Sequence, residues 1–207
     1  GIDKILSEIK KNKIQVRSVC ADYFMKAPIH SENSDVVDES IIILDQLIKI
    51  APTINVSNII IPCVDQSSLK NKYDIKNFIN NIKFAVKTAE VEGVNICLET
   101  DLQPKIFADM LDSIGSKNIT VNYDIGNSAA LGFDPLDEFR AYGEKISDVH
   151  IKDRNFNGGS VKLGTGNANF TKVFHLLSEY EYQGVMIFQA YRDDEGVEIF
   201  KSQQSWF

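Results

Sequence analysis

The sequence is short of the residues from which many sites are built. Of 207 residues, three are histidine, three are cysteine and one is tryptophan. Cys20, Cys63 and Cys97 are too few and too scattered for a disulfide framework, and none has the paired spacing of a zinc site. Each lies in an apolar run, so all three are expected to be reduced, buried thiols of a cytoplasmic protein. Positive charge is also scarce, with 22 lysines and arginines against 29 acidic residues and a net charge of −7. That balance suits neither the phosphate backbone of nucleic acid nor anionic lipid, so neither is an expected partner. No run reaches the apolar length of a membrane-crossing helix, and the start carries no signal-peptide pattern. No serine or cysteine sits in a nucleophile elbow beside a plausible base, which removes the commonest covalent hydrolases.

What is present is a regular alternation. Helical spacing of apolar residues runs over 1–13, 35–54, 73–93, 103–115, 134–143 and 169–184. Between these stretches lie short apolar runs rich in β-branched residues at 14–24, 57–65, 94–101, 118–127, 146–154 and 185–192. "SNIIIPCVD" is apolar without a break, as a strand covered on both faces must be. Strict alternation of this kind predicts a parallel sheet made of βαβ units, with six strands. With no linker or low-complexity segment, residues 1–207 read as a single α/β domain. Two architectures fit: an open doubly wound sheet, and a (β/α)8 barrel. A full barrel needs about 250 residues. The shorter length here and the opening on a helix suit a TIM barrel lacking its first one or two βα units, hence N-terminally incomplete.

Parallel α/β folds place their sites at the carboxyl ends of the strands. The apolar runs end in Asp22, in Asp65, in Glu99 with Asp101, in Asp124 with Asn127, in His150 with Lys152, and in Gln189 with Arg192. Asp22 and Asp65 equally suit capping of the helices that follow. Glu99, Asp124, His150 and Gln189 form a set of oxygen and nitrogen donors from four successive strands. Such a set suits one divalent cation, Mn2+, Mg2+, Co2+ or Zn2+, whose charge the two carboxylates would balance. In "KLGTGN", Gly164 and Gly166 lie just before a helix, where backbone N–H groups can face an anion. Lys152 and Arg154, on the preceding strand end, add positive charge to that neighbourhood. His30 lies in a polar loop expected near the mouth, and His175 sits at helical spacing.

The stretches "CLETD", "NYDIGNSAALGFDP", "YGEKISDVHIKDR", "VKLGTGNANF" and "YQGVMIFQAYR", in this order, resemble the sugar phosphate isomerase/epimerase family. This is the xylose isomerase-like barrel group that includes ketose 3-epimerases, inosose dehydratases and, more distantly, apurinic endonucleases. The resemblance covers nearly the whole chain. It implies a (β/α)8 barrel with one divalent metal at its mouth, held by Glu99, Asp124, His150 and, at the last ligand position, Gln189. It also implies a metal-dependent isomerase or epimerase of ketoses or ketose phosphates that works through an enediolate. Glu99 and the residue at 189 would be its catalytic pair. Asn127, Lys152, Arg154, Gly164, Gly166 and Arg192 would contact the sugar or sugar phosphate.

The sequence departs from the family at two positions. Gln189 stands where a glutamate is usual, and Asn127 where a histidine often stands. Gln189 can offer an amide oxygen to a metal but cannot transfer a proton at neutral pH. Asp101, Asp65 and Lys152 are the alternatives for a second proton transfer. The second reading is therefore a sugar-binding relative with impaired catalysis. An apurinic endonuclease comes third, because the net charge and the three histidines argue against it. A barrel missing strands would leave parallel edges open, for which a homodimer is the expected cover.

Overall fold

The computed structural model describes residues 1–189 and 196–207, which form two compact units. The first unit is Gly1–Leu98 with Ile114–Ile119, and the second is Glu99–Ser113 with Thr120–Phe207.

In the first unit the chain runs α1 (Ile2–Asn12), β1 (Ser18–Cys20), α2 (Tyr23–Lys26), α3 (Ser34–Ile50), β2 (Asn58–Cys63), α4 (Lys72–Glu92) and the start of β3 (Asn95–Thr100). β1 and β2 pair in parallel, with Val19 opposite Ile59. Every residue of β2 is buried, as its unbroken apolar run requires. The core is made by Ile59, Ile60 and Ile61 with Leu44 and Ile48 of α3 and Phe78, Ile82 and Ala89 of α4. Each of these isoleucine, leucine and phenylalanine side chains contributes about 1.5–3 kcal/mol by leaving water. Asn33 caps α3 by accepting the Asp35 N–H, and Asn71 caps α4 by accepting from Tyr73 and Asp74. Neither Asp22 nor Asp65 accepts a capping hydrogen bond, and both are exposed. The expected strand over 14–24 shrinks to three residues, because Ala21–Lys26 turns into α2. Cys20 is exposed, with its thiol donating to Asp22 Oδ1 at 3.2 Å, whereas Cys63 and Cys97 are buried as expected. His30 packs near Phe78 and is buried.

In the second unit, β4 (Ile119–Asp124), β5 (Ile146–Ile151) and β8 (Val185–Phe188) are parallel neighbours. Around them run α5 (Pro104–Ile114), α6 (Ile125–Leu131), α7 (Pro135–Tyr142), α8 (Phe170–Glu179) and α9 (Val197–Trp206). A ladder of edge-to-face rings ties the layers, with Tyr123 of β4 on Phe139 of α7 at 5.3 Å and Phe139 on Tyr180 at 5.4 Å. Asp134 caps α7 through the Leu136 N–H, with Pro135 in the first turn as the sequence implies. Three features of this unit escape the sequence reading. The run expected as a strand to 127 ends at Asp124, whose carboxylate accepts the Asn127 N–H and so starts α6. A small antiparallel pair joins β6 (Asp153–Arg154), expected as the end of the strand over 146–154, to β7 (Ser160–Val161) in the expected loop. The tail folds as α9, with Trp206 stacked edge-on against Phe170 at 4.8 Å. No described helix is long and apolar enough to cross a membrane.

Candidate functional site

Strand alternation selects the site. In β4, Asn122 and Asp124 share one face and Tyr123 points to the other. In β5, Asp148 and His150 share a face while Val149 and Ile151 enter the apolar layer. Register sets Asn122 beside Asp148 and Asp124 beside His150. His150 is level with Ile187 of β8, so Gln189, two residues on, projects from the His150 side of the sheet. Gly126 of α6 allows a close approach to the end of β5: a Cβ there would lie 2.8 Å from Lys152 Cγ and 3.1 Å from the Lys152 carbonyl carbon.

Glu99, Asp124 and His150 are all buried, and one ligand atom from each lies within 4.8 Å of the others. His150 Nδ1 is 3.7 Å from Asp124 Oδ2 and 3.9 Å from Glu99 Oε2. Asn122 Nδ2 donates to Glu99 Oε2 at 3.0 Å and lies 3.2 Å from His150 Nδ1. Asn127 Nδ2 donates to the other carboxylate oxygen, Glu99 Oε1, at 2.5 Å. Lys152 Nζ sits between Asp124 Oδ2 at 3.4 Å and Asn127 Oδ1 at 3.3 Å.

The environment pushes the two carboxylates apart. Burial and the neighbouring Asp124 push Glu99 up to about 7, against the pull of His150 and Lys152. Asp124 also feels burial, but the His150 ring and Lys152 outweigh it and hold its pKa below the ordinary value. Burial lowers the pKa of His150, yet Asp124, Glu99 and Asp148 raise it overall. One carboxyl poised near neutrality beside one held ionised is the arrangement that separates a base from an anionic anchor.

The other expected residues fall as follows. The Oε1 of Gln189 is buried and accepts no hydrogen bond, while its backbone N–H donates to the Ile151 carbonyl. Arg154 gives two bonds to the Gly158 carbonyl and one to Asn127 Oδ1. The Gly166 N–H donates to Asp153 Oδ2 and the Ala168 N–H to Asp153 Oδ1, so these loop amides face a carboxylate of their own chain. Gly164, with φ 79°, is exposed and lies against Trp206. Asp101 is half-buried, and His175 is an exposed partner of Glu179 on α8. Arg192 lies outside the described residues.

Sequence reasoning missed three residues of this region. Asn122 bridges Glu99 and His150; its signal was its place two residues before Asp124, on the same face. Asp153 is buried and fastens the 166–168 loop. Glu138 of α7 is buried and takes hydrogen bonds from Tyr123, Tyr142 and, very short, Ser128. Burial raises its pKa against those three donors. Nothing in "DPLDEFRAY" separated Glu138 from a solvated helix face.

Two carboxylates and an imidazole nitrogen within 4.8 Å of one another suit a divalent cation.

Comparison with known proteins bears on the family and the fold. The family model described as "Xylose isomerase-like TIM barrel" matches residues 1–207. A Haemophilus influenzae protein provisionally named L-ribulose-5-phosphate 3-epimerase is 25% identical over 200 residues, 89% of this chain and 69% of that one. An uncharacterized protein of Methanocaldococcus jannaschii is 29% identical over 123 residues, 54% of this chain, and the match spans 42% of that protein's length. Among solved structures, a xylose isomerase domain protein from Planctomyces limnophilus superposes with TM-score 0.80 and 16% identity, covering 99% of this chain and 79% of that one. A xylose isomerase-like TIM-barrel protein from Mycobacterium smegmatis, solved with magnesium, gives TM-score 0.78 and 13% identity over 99% and 76% of the two chains. The fold is thus that of the TIM barrel, and the chain belongs to the xylose isomerase-like TIM-barrel family.

Proposed function

We propose that the protein is a sugar or sugar-phosphate isomerase/epimerase that uses a divalent metal. The observation that carries this reading is the buried Glu99–Asp124–His150 cluster, with one ligand atom from each within 4.8 Å of the others. The name of the Haemophilus relative, which acts on a pentulose phosphate, supports the substrate class. The magnesium in the mycobacterial neighbour supports the metal.

Glu99, Asp124, His150 and the Gln189 amide oxygen would hold the cation. When bound, it would supply Lewis-acid polarisation of the substrate's carbonyl and adjacent hydroxyl. Glu99 is the base that takes the proton from the carbon next to the carbonyl, giving an enediolate. Asn122 and Asn127 donate to its two oxygens and fix the plane of the carboxylate. Asp124 is held below its ordinary pKa by the His150 ring and Lys152, so it stays ionised, with Lys152 as its cationic partner. One base on one face suffices for aldose–ketose isomerisation. Inversion at a carbon needs a second acid on the opposite face, a role for which Lys152 and Asp101 are the candidates. Burial of the cluster keeps water from the reacting carbon.

A second reading, a sugar-binding relative without turnover, is favoured by the amides at 127 and 189. Two experiments separate the readings. With metal and a panel of ketoses and ketose phosphates in D2O, the enzyme reading expects solvent deuterium at the carbon next to the carbonyl. Under the binding-only reading, no sugar of the panel exchanges in the parent, while Gln189→Glu creates exchange.

A further inference from the structure

We infer that Arg154 is a positioning residue that acts through Asn127 on Glu99, rather than a contact for the substrate's anionic group. The inference rests on the reading of Glu99 as the base and metal ligand.

Three donors of the guanidinium are already committed. Nε and Nη2 both donate to the Gly158 carbonyl, at 3.0 and 2.8 Å, and Nη1 donates to Asn127 Oδ1 at 2.8 Å. The Gly158 carbonyl is itself held in place. The Gly158 N–H donates to Asn155 O, the Asn155 N–H donates to Gly159 O, and Arg154 pairs with Ser160 across the β6–β7 ladder. Asp153, on the preceding residue, pins the neighbouring loop through Gly166 and Ala168. The guanidinium is therefore locked to a rigid hairpin at one end and to Asn127 at the other.

At Asn127 the consequence is directional. A carboxamide has one accepting and one donating end. Two cationic groups, Arg154 at 2.8 Å and Lys152 at 3.3 Å, face one end, which must be the oxygen. The NH2 group then has to point at Glu99 Oε1, where it lies at 2.5 Å. Without Arg154 the amide loses its stronger orienting partner and can turn over, presenting an oxygen to the carboxylate instead of a donor. Glu99 would then be held from the Asn122 side alone. The chain of contacts crosses three elements, from β6 through α6 to the end of β3. It explains why an arginine, with its rigid fork, stands at 154, where a flexible lysine would serve equally well as a plain positive charge.

The test uses the full chain with 15N-labelled asparagine, the Asn127 side-chain signal being assigned by its loss in Asn127→Ala. In the metal-free protein, Arg154→Gln is expected to shift the Asn127 NH2 resonances and speed their exchange with water, while Asn122 moves less. Arg154→Lys should restore part of the effect and covers the case in which Arg154→Gln fails to fold. In turnover, Arg154→Gln is expected to lower kcat about tenfold with KM within about twofold. In the Asn127→Ala background the same change should have almost no further effect, because the two residues act in series. Unchanged Asn127 resonances in both Arg154 variants overturn the proposal. So does a raised KM with kcat intact, or an effect that multiplies fully with that of Asn127→Ala, since either places Arg154 on the substrate. If no sugar turns over, the function proposed above fails and the resonance measurement alone decides the role of Arg154.

Discussion

Glu99 ties the chemistry of the site to the stability of the fold. In an unfolded chain its carboxyl titrates near 4.5, and in the folded protein near 7. Between those values the folded state keeps a proton that the unfolded state has released, so stability falls as pH rises through the window. The destabilisation is complete above about pH 7 and amounts to about 3 kcal/mol. His150 acts in the same direction, because its raised pKa gives stability that is present below 6.5 and lost as pH rises past the folded value. The metal-free protein is thus expected to melt at lower temperature at about pH 8 than at about pH 6, and Glu99→Gln to flatten the difference. Calorimetry of metal-stripped samples checks this, and equal melting temperatures at the two pH values would contradict it. Glu138 is a second residue-scale case. Its three hydroxyl donors would lose their acceptor in Glu138→Ala, at a cost of roughly 3–5 kcal/mol. Glu138→Gln keeps the shape and one acceptor oxygen and should cost less, as denaturant titration of both variants would show.

At the scale of elements, the loop after β7 owes its shape to one glycine. A Cβ on Gly166 would run into the Asp153 carboxylate and lie 2.6 Å from the Arg154 carbonyl oxygen. Gly166→Ala is expected to lose about 2 kcal/mol or more, because backbone and a buried carboxylate must both give way. Thermal melting would test it, and a neutral change would show that the loop tolerates a different path. The same loop shows where sequence reading stops. The glycines of this loop mark a place where amides can face an anion; that the anion is Asp153, three residues after His150, met by the Gly166 and Ala168 N–H groups, is a contact no spacing pattern announces. The strands were legible because runs such as "NIIIPC" must be buried on both faces, and the site strands because polar residues interrupt their ends. The helix α6 was not, because it starts on a carboxylate that also reads as a strand-end ligand. Asp124 caps α6 through the Asn127 N–H while its other oxygen faces Lys152 and His150.

At the scale of the molecule, the alternation of strand and helix and the order of strand-end donors carry the fold and most of the candidate site. Glu99, Asp124 and His150 come together because parallel strands end on the same side, which periodicity alone conveys. Asn122 and Glu138 were hidden because their roles depend on side-chain partners far away in sequence. A cation held by the cluster binds the folded state only, so it should add about 2.7 kcal/mol of stability at a hundredfold excess over its Kd. That increment should vanish in Asp124→Asn and His150→Ala, and calorimetry with Mn2+, Mg2+, Co2+ and Zn2+ in turn would identify the preferred ion.

The most direct test of the central claim is solvent isotope exchange. Metal-loaded protein is incubated in D2O with ketoses and ketose phosphates, and deuterium is read by NMR at the carbon next to the carbonyl. The account predicts exchange into at least one sugar, falling about 10²–10⁴-fold in Glu99→Gln, the range that one general base supplies. Exchange that persists at the parent rate in Glu99→Gln, or none with any sugar of the panel, would contradict it.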